Sequence, residues 1–328
     1  MNVVPNAQNP LSLRNNPSTS NTRPRPIIVT GPTGVGKSSF AAALAVRLGG
    51  EVIGADAYQI YSGLPILTAQ PSPELQALVP HHLIGFLDPC ESFDVARYQR
   101  LARAAIEDIQ SRNRIPIITG GTGLYLKSLT HGLAHLPPID PLLREQIAAI
   151  PLSEAIEKLT ALDPDAPSQI DICNPVRVRR ALEIVHSTGQ PLARAREQWS
   201  STSTSSEFSG ITLSRPREEL HVRIKSNVES LFECGVVDEV RAAREVGPTA
   251  SKAIGFRDIQ TLLRGETSLS QCREAILLAT RQYSKRQVTW CRTQFVFPAL
   301  ELSGNLSEKE ALDSALALLK DSMNKEVA

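Results

Sequence analysis

The chain has 328 residues, 41% hydrophobic and 21% charged, with 19 Gly and 23 Pro. This is the composition of an ordinary folded protein, and at about 150 residues per domain it allows two domains or one large domain with an insertion. Lys+Arg 35 against Asp+Glu 34 leaves a net charge of +1, which excludes a uniformly basic protein and confines any nucleic-acid contact to local clusters.

The five cysteines (Cys90, Cys173, Cys234, Cys272 and Cys291) form no CxxC pair. Their scatter argues against zinc-ligand spacing and a disulfide framework, and for a reduced, cytoplasmic setting. No stretch reaches the roughly 18 apolar residues of a membrane span. Residues 1–26 carry Arg14, Arg23 and Arg25, no acid, and many Asn, Pro and Ser. They lack the apolar run of a secretion signal and read as a disordered tail, with an organelle transit peptide as the alternative.

The first ordered element is a buried strand over 26–30, a β-branched apolar run closed by Gly31. A helix over 38–48 follows, ended by Gly49-Gly50. Residues 51–55 read as a second strand that delivers Asp56 at its carboxyl end. An amphipathic helix over 93–113 precedes a third strand over 114–119, stopped by Gly120-Gly121. Strands alternating with helices predict an α/β fold with a parallel sheet, whose ligands bind at the strands' carboxyl ends. After Pro137-Pro138 the pattern becomes helical and is broken at Pro151, Pro164, Pro167, Pro175 and Pro191. Residues 137–209 are therefore expected to be an inserted helical subdomain that ends in a polar surface loop over 200–209. One more strand is expected at 211–213. Helices follow from Arg217 to about Thr293, so the core comprises 27–136 and 210–328.

Gly31-Pro32-Thr33-Gly34-Val35-Gly36-Lys37-Ser38 matches GxxxxGK[ST] between a predicted strand and a predicted helix. Such a loop turns several N–H groups inward and adds the positive end of a helix. Lys37 supplies a full charge for the terminal phosphates, and the Ser38 hydroxyl suits Mg²⁺. The motif specifies a diphosphate or triphosphate, not a reaction. Asp56 is expected beside this loop, as a metal ligand or general base; its bland alternative is to cap the following turn. The third strand runs into Thr119-Gly120-Gly121-Thr122-Gly123, where a nucleotide hydrolase commonly places a metal-binding Asp. Hydroxyl and amide donors there favour a transferase that uses a diphosphate, with Thr122 contacting the leaving group.

Three basic clusters stand out. Arg177, Arg179 and Arg180 open a helix after Pro175. Lys252 and Arg257 flank Gly255. Arg281, Lys285 and Arg286 lie in an acid-free run with Gln, Tyr and Trp. Positive helices with such side chains suit phosphate contacts and base stacking; a solvated helix face is the alternative.

These motifs, in this order, resemble the tRNA dimethylallyltransferases, also called tRNA isopentenyltransferases. The resemblance rests on GPTGVGKS at 31–38, GADAYQIYSGL at 54–64, VPHHLIGFLDP at 79–89 and PIITGGTGLYLKSL at 116–129. It continues through NPVRVRRALE at 174–183, KAIGFRDI at 252–259 and ATRQYSKRQVTW at 279–290. It implies a P-loop NTPase-like parallel sheet flanked by helices, acting as a monomer without a membrane. It also implies transfer of a dimethylallyl group from dimethylallyl diphosphate to N6 of adenosine 37, in tRNAs reading codons that begin with U. By the same resemblance Gly31 to Ser38 hold the diphosphate with Mg²⁺, and Asp56 is the general base. Asp56, Ala57, Tyr58 and Gln59 surround the target base, while Thr122 and Arg144 contact substrate. Val176 to Arg180, Lys252 to Arg257 and the 281–290 helix grip the anticodon stem-loop.

The chain departs from the family's pattern. Asp56-Ala57-Tyr58-Gln59 stands where Asp-Ser-Arg-Gln is usual. Gly63-Leu64-Pro65-Ile66-Leu67-Thr68-Ala69-Gln70 loses an acid and a lysine. Asn227 stands where the family carries an arginine associated with the diphosphate, leaving Arg223 or Lys225 to replace it. The alternatives are a prenyltransferase acting on free adenine nucleotides, a small-molecule kinase, and a tRNA-binding protein without catalysis. The 252–257 and 281–290 regions favour tRNA over a free nucleotide.

Overall fold

The computed structural model describes residues 23–133, 136, 139–200, 207–243, 245–304 and 306–325. Most of the expected tail, the Pro137-Pro138 boundary and most of the polar loop lie outside the described residues.

Six parallel strands form one sheet in the order β3-β2-β4-β1-β5-β6. They are β1 (Ile27–Thr30), β2 (Glu51–Gly54), β3 (His81–His82), β4 (Pro116–Thr119), β5 (Ser209–Ser214) and β6 (Ala299–Glu301). β1, β2 and β4 are buried along their whole length, as strands covered on both faces must be. Their side chains alternate between two cores. Ile28, Ile53 and Ile118 join the cluster with Tyr98, Leu126 and Phe256. Ile27, Val29, Val52 and Ile117 join the one on the opposite face, with Phe40 and Leu44.

Most helices follow the sequence reading; those over 73–78, 123–131 and 308–325 were not anticipated. α1 (Lys37–Leu48) links β1 to β2, and the short α2 (Pro73–Leu78) precedes β3. α3 (Val95–Ser111) is capped by Asp94, whose carboxylate accepts from the Arg97 amide at 2.7 Å. α4 (Gly123–His131) follows β4. Next come α5 (Pro141–Ala149), α6 (Leu152–Leu162), α7 (Pro175–Thr188) and α8 (Leu192–Ser200). Each proline break falls between or at the start of helices; Pro175 opens α7, and the Asn174 side chain caps the Val176 and Arg177 amides. A third apolar cluster, with Ile147, Leu159, Val178 and Leu182, is formed by these helices and the turns that join them. α9 (Arg217–Glu233), α10 (Val236–Ala242), α11 (Phe256–Leu263), the long α12 (Leu269–Gln294) and α13 (Glu308–Lys325) complete the chain. No helix among the described residues is long and apolar enough to cross a membrane.

Four strands shift their bounds, β1 by one residue at its start and β2 by one at its end. β4 begins at Pro116, not 114, because the Arg114 amide completes the turn that closes α3 on the Ile109 carbonyl. β5 spans six residues where three were expected. β3 and β6 were not anticipated.

At the amino end of β2, Glu51 is 1% exposed. It pairs with Arg112, with Arg114 at 3.2 Å and with His82 at 2.8 Å. The Arg112 hydrogen bond, reinforced by His82 and opposed by burial, holds its carboxyl at about 2 against an ordinary 4.5. A depressed carboxyl contributes stability above its unfolded value that is lost as pH falls toward the folded one. Glu51→Gln is expected to lower stability by roughly 3 kcal/mol at neutral pH. In chemical denaturation the gap from the parent should close between pH 4.5 and 2; a gap unchanged by acid would disprove the assignment.

Candidate active site

The carboxyl ends of β1, β2 and β4 open on to a cavity of about 360 Å³. Its lower end is the phosphate loop. Gly36 caps α1 in the left-handed region (φ 104°) with no side-chain cap, so the first amides of α1 keep no side-chain partner. Gly34 (φ 89°) lets α9 approach closely, since a Cβ there would stand 2.8 Å from Ile224. The Lys37 ammonium donates to the Pro32 carbonyl at 2.9 Å. Burial lowers its pKa to about 8, against the pull of Asp56.

Asp56 reaches this cavity because the end of β2 is stitched to the end of β4. The Ala55 amide donates to Thr119 O (2.7 Å), and the Thr122 amide to Ala55 O (3.1 Å). One Asp56 oxygen accepts from the Tyr58 amide at 3.0 Å, so the turn-capping role and the cavity position are both realised. This hydrogen bond orients the carboxylate. Burial, with Asp56 nearby, raises the Tyr58 phenol.

Part of the cavity lining is apolar. Leu67, Val228, Leu231 and Ile276 come from the loop after β2, from α9 and from α12. Leu67 is held in place by Glu239 of α10, whose carboxylate accepts from the Ile66 and Leu67 amides at 2.8 and 2.7 Å. Sequence reading missed this wall. Asn227, the departure from the family pattern, itself lines the cavity. Arg223 lines the cavity and donates to the Gly34 carbonyl at 2.8 Å, whereas Lys225 pairs with Glu229 on an exposed face.

A second cavity of about 260 Å³ is lined by Thr122, Leu124, Arg286, Gln287 and Trp290, and shares Gly121 and Tyr283 with the first. Thr122 faces this smaller cavity; its hydroxyl accepts from the Ala57 amide at 2.9 Å. Burial pushes the Tyr283 phenol up, with Asp56 adding to the effect and Thr122 and Gln287 as hydrogen-bond partners.

Thr33, Gly34, Gly36, Lys37, Ser38, Asp56, Tyr58 and Gln59 thus meet in one cavity. Val35 is buried beneath the loop, and Gly31, Pro32 and Ala57 support it without lining the cavity. The basic residues divide. Lys285 and Arg286 are exposed on α12, while Arg281 is half-buried. Lys252 and Arg257 are exposed, but Gly255 is buried against Ile276 and Leu67, where it turns the chain at φ 93°. Val176 and Arg177 are exposed on α7. Arg179 donates to the Ile150 carbonyl, and Arg144 and Arg180 both pair with Glu183. Of these basic residues Arg286 lines the smaller cavity, and the others line neither.

Ser38 and Asp56 line the cavity beside the loop, with the Thr33 and Ser39 hydroxyls as further oxygen donors. Among the described residues no group of three or more His, Cys, Asp or Glu is placed to hold a metal. Such a donor set fits Mg²⁺ that arrives with phosphate oxygens and water, its usual mode of binding.

A family model described as IPP transferase matches residues 59–294. The chain is 41% identical over 276 residues to a tRNA dimethylallyltransferase of Caulobacter sp. (strain K31), covering 82% of this chain and 89% of the relative. A tRNA isopentenylpyrophosphate transferase of Bacillus halodurans, 32% identical, superposes with a TM-score of 0.67 over 93% of this chain and 99% of that one. A eukaryotic dimethylallyltransferase solved acting on tRNA gives a TM-score of 0.80 at 26% identity, over 92% and 80% of the two chains.

The state of Lys37 yields a binding test. An oxyanion requires the ammonium form, so binding of inorganic diphosphate, measured by calorimetry, should weaken as pH rises through about 8 and should take up protons near that pH. Affinity that holds flat to pH 10 would remove Lys37 from the anion site.

Proposed function

The chain belongs to the IPP transferase family, and from this we propose that it transfers a dimethylallyl group from dimethylallyl diphosphate to N6 of adenosine 37. Its substrates are tRNAs reading codons that begin with U, and diphosphate is released. The carrying observation is that a phosphate loop, a fixed carboxylate and an apolar wall share one cavity.

The diphosphate lies on the loop amides with Lys37 and Arg223, and the five-carbon group lies along Leu67, Val228 and Ile276. Ser38 would hold Mg²⁺, which when bound would offset charge on the diphosphate. An adenine amine is a poor nucleophile because its lone pair is delocalised into the ring, so alignment supplies much of the acceleration. The N6–C bond forms as the bond from the allylic carbon to the diphosphate oxygen breaks, and that electron pair leaves with the diphosphate. Asp56 accepts the N6 proton, worth about 10²–10⁴-fold. Lys37 and the loop amides stabilise the leaving group. The target base must leave its stack to reach this position.

The RNA is gripped by the exposed cations of α12, by Lys252 and Arg257, and by the helical insertion over 137–209 through Val176 and Arg177. The separate apolar cluster of that segment supports treating it as a subdomain beside a core of 27–136 and 210–328. The protein works as a cytoplasmic monomer. Its free cysteines, three of them exposed, support a reducing compartment, and a single chain supplies both cavities.

Asp56→Ala is expected to reduce prenylation of an anticodon stem-loop with adenosines at 36–38 by at least about 10²-fold, while RNA binding stays within about twofold. Full turnover in that variant would refute the base assignment. Replacing Lys285 and Arg286 together by Ala should weaken RNA binding and flatten its dependence on salt by roughly two counterions. A salt slope equal to the parent's would take α12 out of the interface.

A further inference from the structure

Gln287 is an uncharged side chain, 5% exposed, in a helix whose neighbouring surface is cationic. Its amide joins two segments that are far apart in the chain. The Oε1 atom accepts from the Thr33 N–H at 2.7 Å and from the Thr33 hydroxyl at 2.9 Å. The Nε2 atom donates to the Gly121 carbonyl at 3.0 Å. One turn earlier, the Ser284 hydroxyl donates to the Thr33 carbonyl at 3.2 Å. Gly121 permits the contact, since a Cβ there would stand 2.2 Å from Nε2. A buried amide satisfied on both its oxygen and its nitrogen specifies one geometry.

Thr33 belongs to the loop that takes the diphosphate. Gly121 stands beside the base, for a Cβ on it would lie 3.6 Å from Asp56 Oδ2. Gln287 lines the smaller cavity and bonds a residue of the larger one. The geometry points to Gln287 as a positioning residue that fixes the spacing between leaving group and base and closes the wall between the two cavities to water. This rests on the proposed transfer reaction and deepens it. A displacement of about 1 Å at such a tie costs roughly 10²-fold in rate. An open wall admits a competing reaction. A water oxygen bonds to the allylic carbon, the carbon–oxygen bond to the diphosphate breaks with its electron pair, and the water proton passes to solvent.

Two variants test this in the full-length enzyme with dimethylallyl diphosphate, Mg²⁺ and an anticodon stem-loop. Gln287→Met removes both ties at similar volume. It is expected to lower kcat by about 10- to 100-fold, to leave the KM for RNA within about twofold, and to release more diphosphate than adenosine modified. Gln287→Glu keeps an acceptor for Thr33, but as a carboxylate it opposes the Gly121 carbonyl. Once protonated it donates there again, so its rate relative to the parent should recover as pH falls from about 8 to about 6. The ionisable groups around this position are Asp56 beyond Gly121, Tyr283 and Arg286 on the same helix, Cys291 one turn on, and Lys37, which faces Asp56 and Cys291. Dividing by the parent's rate at each pH removes their contribution. A Gln287→Met enzyme with the parent's kcat and equal release of diphosphate and modified adenosine overturns the inference. So does a Gln287→Glu ratio that stays flat with pH, which decides the matter alone if the methionine variant does not fold. Absence of transfer by the parent enzyme overturns the proposed function and this inference with it.

Discussion

A desolvated ammonium has to be balanced, and the upper face of this protein is organised around balancing Lys37. The Pro32 carbonyl accepts its proton and the Asp56 charge favours its cationic form, yet burial still brings the pKa down to about 8. An incoming oxyanion therefore removes a penalty as well as adding an attraction. The place of Asp56 depends on the junction of β2 and β4, where the Ala55, Thr119 and Thr122 backbones interlock. The sheet's parallel register thus sets the distance between Lys37 and Asp56.

α12 makes a second demand on the same place. Its Ser284, Gln287 and Cys291 recur on one buried face and touch Thr33, Gly121 and Thr30. Its opposite face displays Lys285 and Arg286 to solvent. One helix is consequently both a wall of the reaction chamber and a cationic surface. Trp290 packs directly over Gly123, so the start of α4 is fixed by the same contact.

The parts of the site that could be read from the sequence are those whose chemistry is local. Gly31 to Ser38 must be contiguous to wrap a phosphate, and Asp56 declared itself by ending an apolar strand. The apolar wall could not be read this way, because Leu67, Val228 and Ile276 look like ordinary core residues until three separate segments meet. Gln287 was hidden for a different reason: an uncharged residue inside a basic run draws no notice. Gly255 was read with its charged neighbours, although its positive φ and apolar surroundings give it a backbone role. β3 and β6, two and three residues long, are too short to show a period. α13 did carry one, with Ala311, Ala315 and Leu319 at four-residue spacing on its buried side.

All six strands run in one direction, so the sheet has a reactive rim and a mechanical one. The knot of Glu51, His82, Arg112 and Arg114 occupies the latter, while the glycine cradle occupies the former. Acid tolerance of the scaffold and chemistry of the chamber are therefore separate properties of the same strands. The amino rim offers positions for altering acid tolerance that do not line the cavity at the opposite ends of the strands.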